Sequence, residues 1–127
     1  MISFDTSLWN ILGEAPNAST FKVFLFIALN QPEEGVRGLK ITKEELGLTL
    51  NLNRTYIFRD LKWLKDNLLI QELKFVDDFD FMANPRFVMN NSDFKERMEE
   101  WNRRQHLDIQ REIALKKKRR ARQAKND

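Results

Sequence analysis

Residues 41–64 read ITKEELGLTLNLNRTYIFRDLKWL and contain the signals for two short helices. Thr42 and Glu45 form a capping box, in which a hydroxyl and a carboxylate each satisfy a free amide at the start of a helix. Leu46 and Leu50 lie four residues apart, which gives this first helix one apolar face. The stretch therefore predicts a capped amphipathic helix that ends near residue 50.

The second helix is predicted from Arg54 to Asp66, after the polar break Asn51-Leu52-Asn53. Asn53 can cap this helix, and Asn67 is expected to adopt the left-handed conformation that ends it. Its apolar stripe recurs at helical spacing and comprises Ile57, Leu61, Leu64 and Leu68.

The segment before this pair predicts a buried helix and a short strand. Apolar residues cover nearly every position from Phe21 to Leu29, and Ser19 or Thr20 can cap that helix. Residues 33–38 form a loop, and Leu39-Lys40-Ile41 is long enough for only a short strand.

The segment after the pair predicts a hairpin and a long helix. The hairpin comprises a strand from Leu69 to Val76, a turn at Asp77-Asp78 and a returning strand from Phe79 to Met89, which is interrupted at Asn84-Pro85. Asp93-Phe94-Lys95-Glu96 offers a second capping box, and no proline or glycine follows before Gln123. The long helix is therefore expected to continue to about that residue.

The order helix, strand stub, helix, turn, helix, hairpin is that of a winged helix-turn-helix domain. The predicted class is α+β, mostly α, with a C-terminal basic helical extension. We expect residues 1–91 to form the domain and residues 92–127 the long charged helix and basic tail. The stretch from Ile41 to Leu64, together with the following Leu69-Ile70, resembles the bacterial winged-helix pattern.

A narrower resemblance rests on the hairpin. Phe81-Met82-Ala83-Asn84-Pro85-Arg86-Phe87, following Leu68-Leu69-Ile70, resembles the closing strand of the plasmid replication protein (RepL) family of Gram-positive bacteria, with its Asn-Pro step. The resemblance covers roughly residues 20 to 90 and implies recognition of a plasmid origin. It also implies that Arg54, Thr55, Arg59 and Lys62 are the residues that read the DNA.

The face opposite the apolar stripe of the second helix is the predicted DNA-binding surface, because a recognition helix presents that face to the major groove. Arg54 and Arg59 can each pair bidentately with a guanine, Thr55 can donate to a phosphate or a base, and Lys62 can contact a phosphate. Lys43, at the start of the preceding helix, can contact the DNA backbone. Phe58 either touches thymine methyl groups or packs on a neighbouring helix or subunit.

The predicted hairpin tip, Asp77-Asp78-Phe79-Asp80, is acidic, whereas DNA-reading wings carry lysine and arginine. Three carboxylates would repel a DNA backbone, so the tip is expected to point away from the duplex or to contact protein. A metal site is the third interpretation, but adjacent aspartates in a turn are more often simply turn formers.

The chain has a net charge of +3, which is distributed unevenly along the sequence. Residues 103–127 contain ten basic and three acidic side chains, so the first 102 residues are acidic overall. The densest run is predicted to be a mobile arm that neutralises phosphates, the alternative being a solubilising end. The tail residues predicted to bind DNA are Lys116, Lys117, Lys118, Arg119 and Arg120.

Phe94, Met98 and Trp101 form a stripe that can dock the first turns of the long helix on the domain or on a second copy.

Composition argues against an enzyme, a cofactor and a metal centre. The chain has no cysteine, its single histidine, His106, lies in the charged tail, and its four glycines lack the spacing of a nucleotide site. The longest apolar run, from Val23 to Leu29, is far shorter than the roughly 20 residues that span a bilayer, so a cytoplasmic protein without membrane contact is expected.

The leading functional hypothesis is sequence-specific binding of double-stranded DNA in plasmid or mobile-element replication or maintenance. Transcriptional repression and an accessory role in plasmid transfer are the close alternatives, and a winged-helix protein-interaction module is the alternative of another class. The candidate partners are double-stranded DNA, a second copy of the chain, and replication or transfer proteins.

Overall fold

The computed structural model describes residues 2–90 and 93–126 and has an α+β, mostly helical fold. The elements in chain order are β1 (Ile2–Phe4), α1 (Ser7–Leu12), α2 (Ala18–Leu29), α3 (Lys43–Leu50), α4 (Arg54–Asp66), β2 (Ile70–Lys74), β3 (Phe79–Ala83), β4 (Val88–Asn90) and α5 (Phe94–Asn126). β1 pairs with β4 and β2 pairs with β3, both antiparallel, and an isolated bridge joins Leu39 to Phe81 in β3. The returning strand predicted to run to Met89 is thus divided between two sheets.

Thr42 and Asn53 cap α3 and α4 as predicted, but the Glu45 carboxylate accepts from the Thr42 hydroxyl and not from a free amide. The amide of Glu45 donates to the Thr42 hydroxyl at 3.1 Å, and this hydroxyl donates to the Glu45 carboxylate at 3.0 Å. The amide of Tyr56 donates to the Asn53 side chain at 3.0 Å. Asn51, with φ 55°, lies in the left-handed region and ends α3, so the turn between the helices is closed by local hydrogen bonds.

The prediction that Asn67 ends α4 in a left-handed conformation is wrong. Asn67 has φ −95°, and the left-handed residue is Leu68, with φ 59°. The side chain of Asn84 donates to the Leu68 carbonyl at 2.8 Å, and the amide of Leu69 donates to the Leu64 carbonyl at 2.9 Å. These bonds offset the roughly 1–2 kcal/mol that the left-handed conformation costs a residue with a Cβ atom.

The start of α2 also differs from the prediction. The helix begins at Ala18, after Asn17, so neither Ser19 nor Thr20 is its N-cap. Their hydroxyls instead donate to Asp60 of α4, at 2.6 and 2.7 Å. Asp60 is fully buried, and these two bonds, together with those from Nε and Nη2 of Arg59, compensate the loss of water around the carboxylate. Two neighbouring hydroxyls of α2 thereby fix α4 against that helix.

The hydrophobic core lies between the helices and the β2–β3 hairpin. It includes the predicted stripe residues Ile57, Leu61 and Leu64, whereas Leu68 is half exposed. Its largest fully buried side chains include Phe24, Ile27, Leu46, Leu69, Ile70, Phe81 and Met82. The core therefore holds the inner side of α4 and leaves the opposite side free.

The first turns of α5 pack against this core and the hairpin. Trp101 is buried, and its carbonyl accepts a hydrogen bond from Gln71 of β2 at 2.8 Å. Of the predicted docking stripe, Met98 is half buried and Phe94 is exposed. The other residues buried on this part of α5 are Arg97 and Arg104. Two arginines thus share the docked face with Trp101 and Met98, which the sequence did not predict.

Arg104 forms a buried ion pair with Asp80 of β3. Nη1 lies 2.6 Å from Oδ1 and Nη2 lies 3.0 Å from Oδ2, and the two side chains are only 5% and 1% exposed. Burial acts to lower the pKa of Arg104, but hydrogen bonds to Asp80 and Glu100 outweigh it and raise that pKa. The backbone amide of Gly38 also donates to Asp80, at 3.1 Å.

A pH-dependent contribution to stability is expected from Glu100. A hydrogen bond from Arg103 lowers its pKa below the ordinary 4.5, and a second one from Arg104 adds to this against the effect of burial. The folded state therefore favours the charged carboxylate, and this stabilisation is present above about pH 4.5 and lost as the pH falls through the lower folded pKa. Glu100→Gln should be less stable than wild type at neutral pH, and the difference should shrink on acidification.

Urea unfolding at about pH 7 and about pH 3 measures this difference. The control is Glu99→Gln, which changes an exposed neighbour on the same helix. If the Glu100→Gln difference stays constant with pH, the ion pairs of Glu100 do not stabilise the fold.

Candidate nucleic-acid interface

The buried residues of α4 determine which of its side chains face outwards. Ile57, Asp60, Leu61 and Leu64 occupy one side of the helix, so Thr55, Arg59, Lys62 and Asp66 lie on the opposite side at helical spacing. All four of these outward side chains are exposed. This ridge contains three of the residues predicted to contact DNA.

Arg54 lies at the first position of α4 on the flank next to α3. Its guanidinium carbon lies 4.9 Å from the centre of the Phe58 ring, and Lys43 Nζ of α3 lies 4.6 Å from the same centre. Arg54 is exposed and, among the described residues, makes no hydrogen bond or ion pair. Phe58 is partly buried and thus holds two cations, an arrangement typical of cation–π contacts.

Arg59 is held by the protein to a greater extent than predicted. Nε and Nη2 lie 3.3 and 3.2 Å from Asp60 Oδ1, and Nη2 also donates to the Ser19 hydroxyl at 2.9 Å. The guanidinium carbon lies 4.7 Å from the centre of the Tyr56 ring, which is itself half exposed. The side chain remains 40% exposed.

This geometry limits what Arg59 can offer to a ligand. Its Nε and Nη2 hydrogens are used by Asp60 and Ser19, which leaves Nη1 as the available donor. The bidentate guanine contact predicted for Arg59 would require it to release Asp60. A single contact to a phosphate or a base edge requires no rearrangement.

The remaining predicted residues of the ridge are accessible. Lys62 Nζ lies 2.7 Å from Asp66 Oδ2, and both side chains are exposed. Such an exposed pair contributes little to stability, so it is easily exchanged for a pair with a phosphate. Thr55 is exposed at the start of the helix.

Three lysines lie around the carboxylate of Glu72, and two of them, Lys65 and Lys74, were not among the residues predicted to bind DNA. Glu72 of β2 lies 3.3 Å from Lys43, 2.9 Å from Lys65 of α4 and 3.8 Å from Lys74 of β2. The only sequence signal was strand alternation, which places Glu72 and Lys74 on the same face of β2. The positions of Lys43 and Lys65 depend on tertiary packing.

The hairpin tip differs from the predicted acidic tip in the position of its turn and in the pairing of its aspartates. The turn spans Phe75 to Asp78, which exchange backbone hydrogen bonds, and Asp80 lies inside β3, buried against Arg104. Asp78 forms an ion pair with Arg37. Both paired carboxylates are thus neutralised within the protein, and the tip presents the apolar side chains of Phe75 and Val76.

The basic run lies on the last turns of α5. The helix continues through Asn126, and every described residue from His106 to Lys125 is exposed. The helix predicted to continue to about Gln123 is therefore present, and its exposed residues include Lys116, Lys117, Lys118, Arg119 and Arg120. Arg111 lies nearer the body, 5.9 Å from the ring centre of Phe75 at the hairpin tip, so the basic half of α5 leaves the body beside the hairpin.

Residues 2–90 and 93–126 contain neither a group of three histidine, cysteine or acidic side chains placed to hold a metal ion nor a helix that is long and apolar enough to span a membrane. Comparison of the chain with protein-family models, with curated proteins and with solved structures found no significant match.

Proposed function

We propose that the chain binds double-stranded DNA through the outward face of α4, with α3 and α4 as the helix-turn-helix of a winged-helix domain. The observation that carries the proposal is the exposed guanidinium of Arg54 at the first turn of α4, supported by Phe58 and flanked by Lys43. The Leu39–Phe81 bridge and the β2–β3 hairpin follow the order expected of the strands in such a domain.

The chemistry of this face suits a duplex. The major groove, about 12 Å wide, admits an α-helix, and an arginine at its N-terminal turn reaches the guanine O6 and N7 acceptors. Arg54 has all its donors free among the described residues, so it is the proposed base-reading residue. Lys43, Thr55, Arg59 and Lys62 are the proposed phosphate contacts, which set the position of the helix without reading sequence.

The proposed biological role is origin recognition in plasmid or mobile-element replication or maintenance, in the cytoplasm and without catalysis by this chain. The RepL resemblance supports this role over transcriptional repression or plasmid transfer. Footprinting on the plasmid or element that carries the gene distinguishes them. Protection of repeated sites beside an origin supports replication, whereas protection over a promoter or a transfer origin contradicts it.

Selection of bound duplexes from a random pool tests DNA binding directly, because it yields the target sequence and its symmetry together. Against the selected site, Arg54→Ala is expected to weaken binding by about 1–3 kcal/mol and to relax the preference at one base pair. The control Lys95→Ala removes an exposed cation from the first turn of α5 and should leave that preference unchanged.

Two results would contradict the proposal: recovery of no enriched sequence together with no binding at low salt, or full retention of the preference by Arg54→Ala. The first result would favour a protein-interaction module instead. That second candidate is supported by two exposed apolar side chains, Leu48 on α3 and Val76 at the hairpin tip, which are 84% and 93% exposed.

A further inference from the structure

Glu72 is the meeting point of three basic side chains from three elements. Lys43 comes from the start of α3, Lys65 from the last turn of α4 and Lys74 from the end of β2. Glu72 is only 9% exposed, whereas each lysine is 28% exposed or more. The carboxylate therefore lies beneath a group of ammonium ions that remain accessible to solvent.

This cluster lies on the same flank of α4 as Arg54. Lys65 follows Arg54 by eleven residues, which is close to three helical turns and about 16 Å along the axis. Lys43 connects the two ends of the flank, because it contacts both Phe58 and Glu72. A duplex that meets Arg54 thus has a cationic cluster alongside it.

Glu72 opposes any polyanion that approaches these lysines. Each ammonium has three donor hydrogens, and the ion pairs direct at least one donor of Lys43 and Lys65 towards the carboxylate rather than outwards. The carboxylate also repels a phosphate placed over the lysines. Because it is covered by protein, an incoming phosphate cannot displace it into water.

We propose that Glu72 limits the affinity of this protein for the phosphate backbone, a role that rests on the proposed function. Phosphate contacts supply affinity for any sequence. A carboxylate beneath the lysines lowers this common contribution for every duplex and leaves the base contacts of Arg54 unchanged. Glu72 is thus a residue that limits affinity by acting through Lys43, Lys65 and Lys74.

The test compares Glu72→Gln with wild type on a selected duplex and on a random-sequence duplex over a range of salt concentrations. Glu72→Gln is expected to bind the random duplex about three- to tenfold tighter at low salt, because one opposing charge is removed. The slope of log affinity against log salt should steepen by up to about one unit, the contribution of one further phosphate contact. The selected duplex should gain affinity by the same factor, so the ratio of selected to random affinity should stay constant, because phosphate contacts carry no sequence information.

Glu44→Gln is the matched control. Glu44 is an exposed carboxylate next to Lys43 in α3 and forms no ion pair in the described part of the chain, so its replacement changes the net charge equally. Its effect on affinity and on salt slope should be clearly smaller. Thermal unfolding of each variant verifies that it folds.

The outcomes separate this inference from the proposed function. If wild type binds no duplex, the proposed function fails. If wild type binds sequence-specifically but Glu72→Gln either matches Glu44→Gln or binds more weakly, Glu72 is a structural support and only this inference is overturned. Should Glu72→Gln not fold, Glu72→Asp withdraws the carboxylate from the lysines, and it is expected to raise the affinity for both duplexes in the same direction; an unchanged affinity overturns the inference.

Discussion

Replacement of Arg104 by Met is expected to lower the free energy of unfolding by about 3 kcal/mol, because it removes the bidentate charged partner of the buried Asp80 carboxylate. Met retains most of the apolar stem of Arg104 but none of the two hydrogen bonds, of 2.6 and 3.0 Å, that reach Asp80. The Gly38 amide remains as a donor, and Arg37 Nε remains 3.4 Å from Asp80 Oδ2. One neutral donor and one long ion pair do not replace two short charged hydrogen bonds to a desolvated carboxylate. Urea unfolding measures the change.

Arg103→Met is the matched control, because it removes a guanidinium from the adjacent position, where the side chain is exposed. This variant should cost no more than about 1 kcal/mol, as exposed ion pairs do. The double variant Arg104→Met with Asp80→Asn removes the buried charge and keeps an acceptor for Gly38, so it should be more stable than Arg104→Met alone. Equal stability of Arg104→Met and Arg103→Met would show that the pair does not hold α5 to the hairpin.

The local signals of residues 41–66 were sufficient to predict their structure. Thr42 and Asn53 cap α3 and α4 as expected, and Ile57, Leu61 and Leu64 are buried as their spacing predicted. These features depend on residues at most a few turns apart, where hydrogen-bonding and helical periodicity act directly. Local chemistry therefore placed Arg54 on the exposed start of a helix.

The pairing of charged residues could not be predicted in this way. Asp80 and Arg104 are 24 residues apart, and nothing in the sequence distinguishes Arg104 from the other basic residues of the C-terminal region. The same holds for Asp60, whose partners Ser19 and Thr20 lie about forty positions earlier. Each contact forms because tertiary packing brings together elements that are distant in sequence. Asp80, predicted to lie at an exposed acidic tip, is therefore neutralised inside the protein.

These internal pairs change the electrostatic description of the hairpin. The sequence predicted a repulsive acidic tip, but Arg104 and Arg37 neutralise Asp80 and Asp78. The hairpin therefore repels a DNA backbone less than its composition suggests. Because Arg111 lies beside Phe75, the following turns of α5 extend their basic side chains from the hairpin side of the domain.

The largest expected effect on DNA binding comes from that basic segment. A variant in which glutamine replaces Lys116, Lys117, Lys118, Arg119, Arg120 and Arg122 keeps residues that favour a helix and removes six positive charges. If half of these charges neutralise phosphates, the slope of log affinity against log salt should fall by about 2.7, and affinity at roughly 0.1 M salt should fall by about 100-fold or more. The loss should be equal for selected and random duplexes, because phosphate contacts carry no sequence information.

A control variant, Leu107→Gln with Ile113→Gln, changes two exposed apolar residues of the same helix without changing its charge. It should bind DNA as wild type does, and a loss of affinity in this variant would indicate that α5 acts through apolar contacts between subunits. An unchanged salt slope in the six-fold glutamine variant would show that the basic end of α5 stays away from the duplex. Since the same experiment reports the selected-to-random ratio, it also separates the two contributions: α5 should change affinity alone, whereas Arg54 should change the ratio.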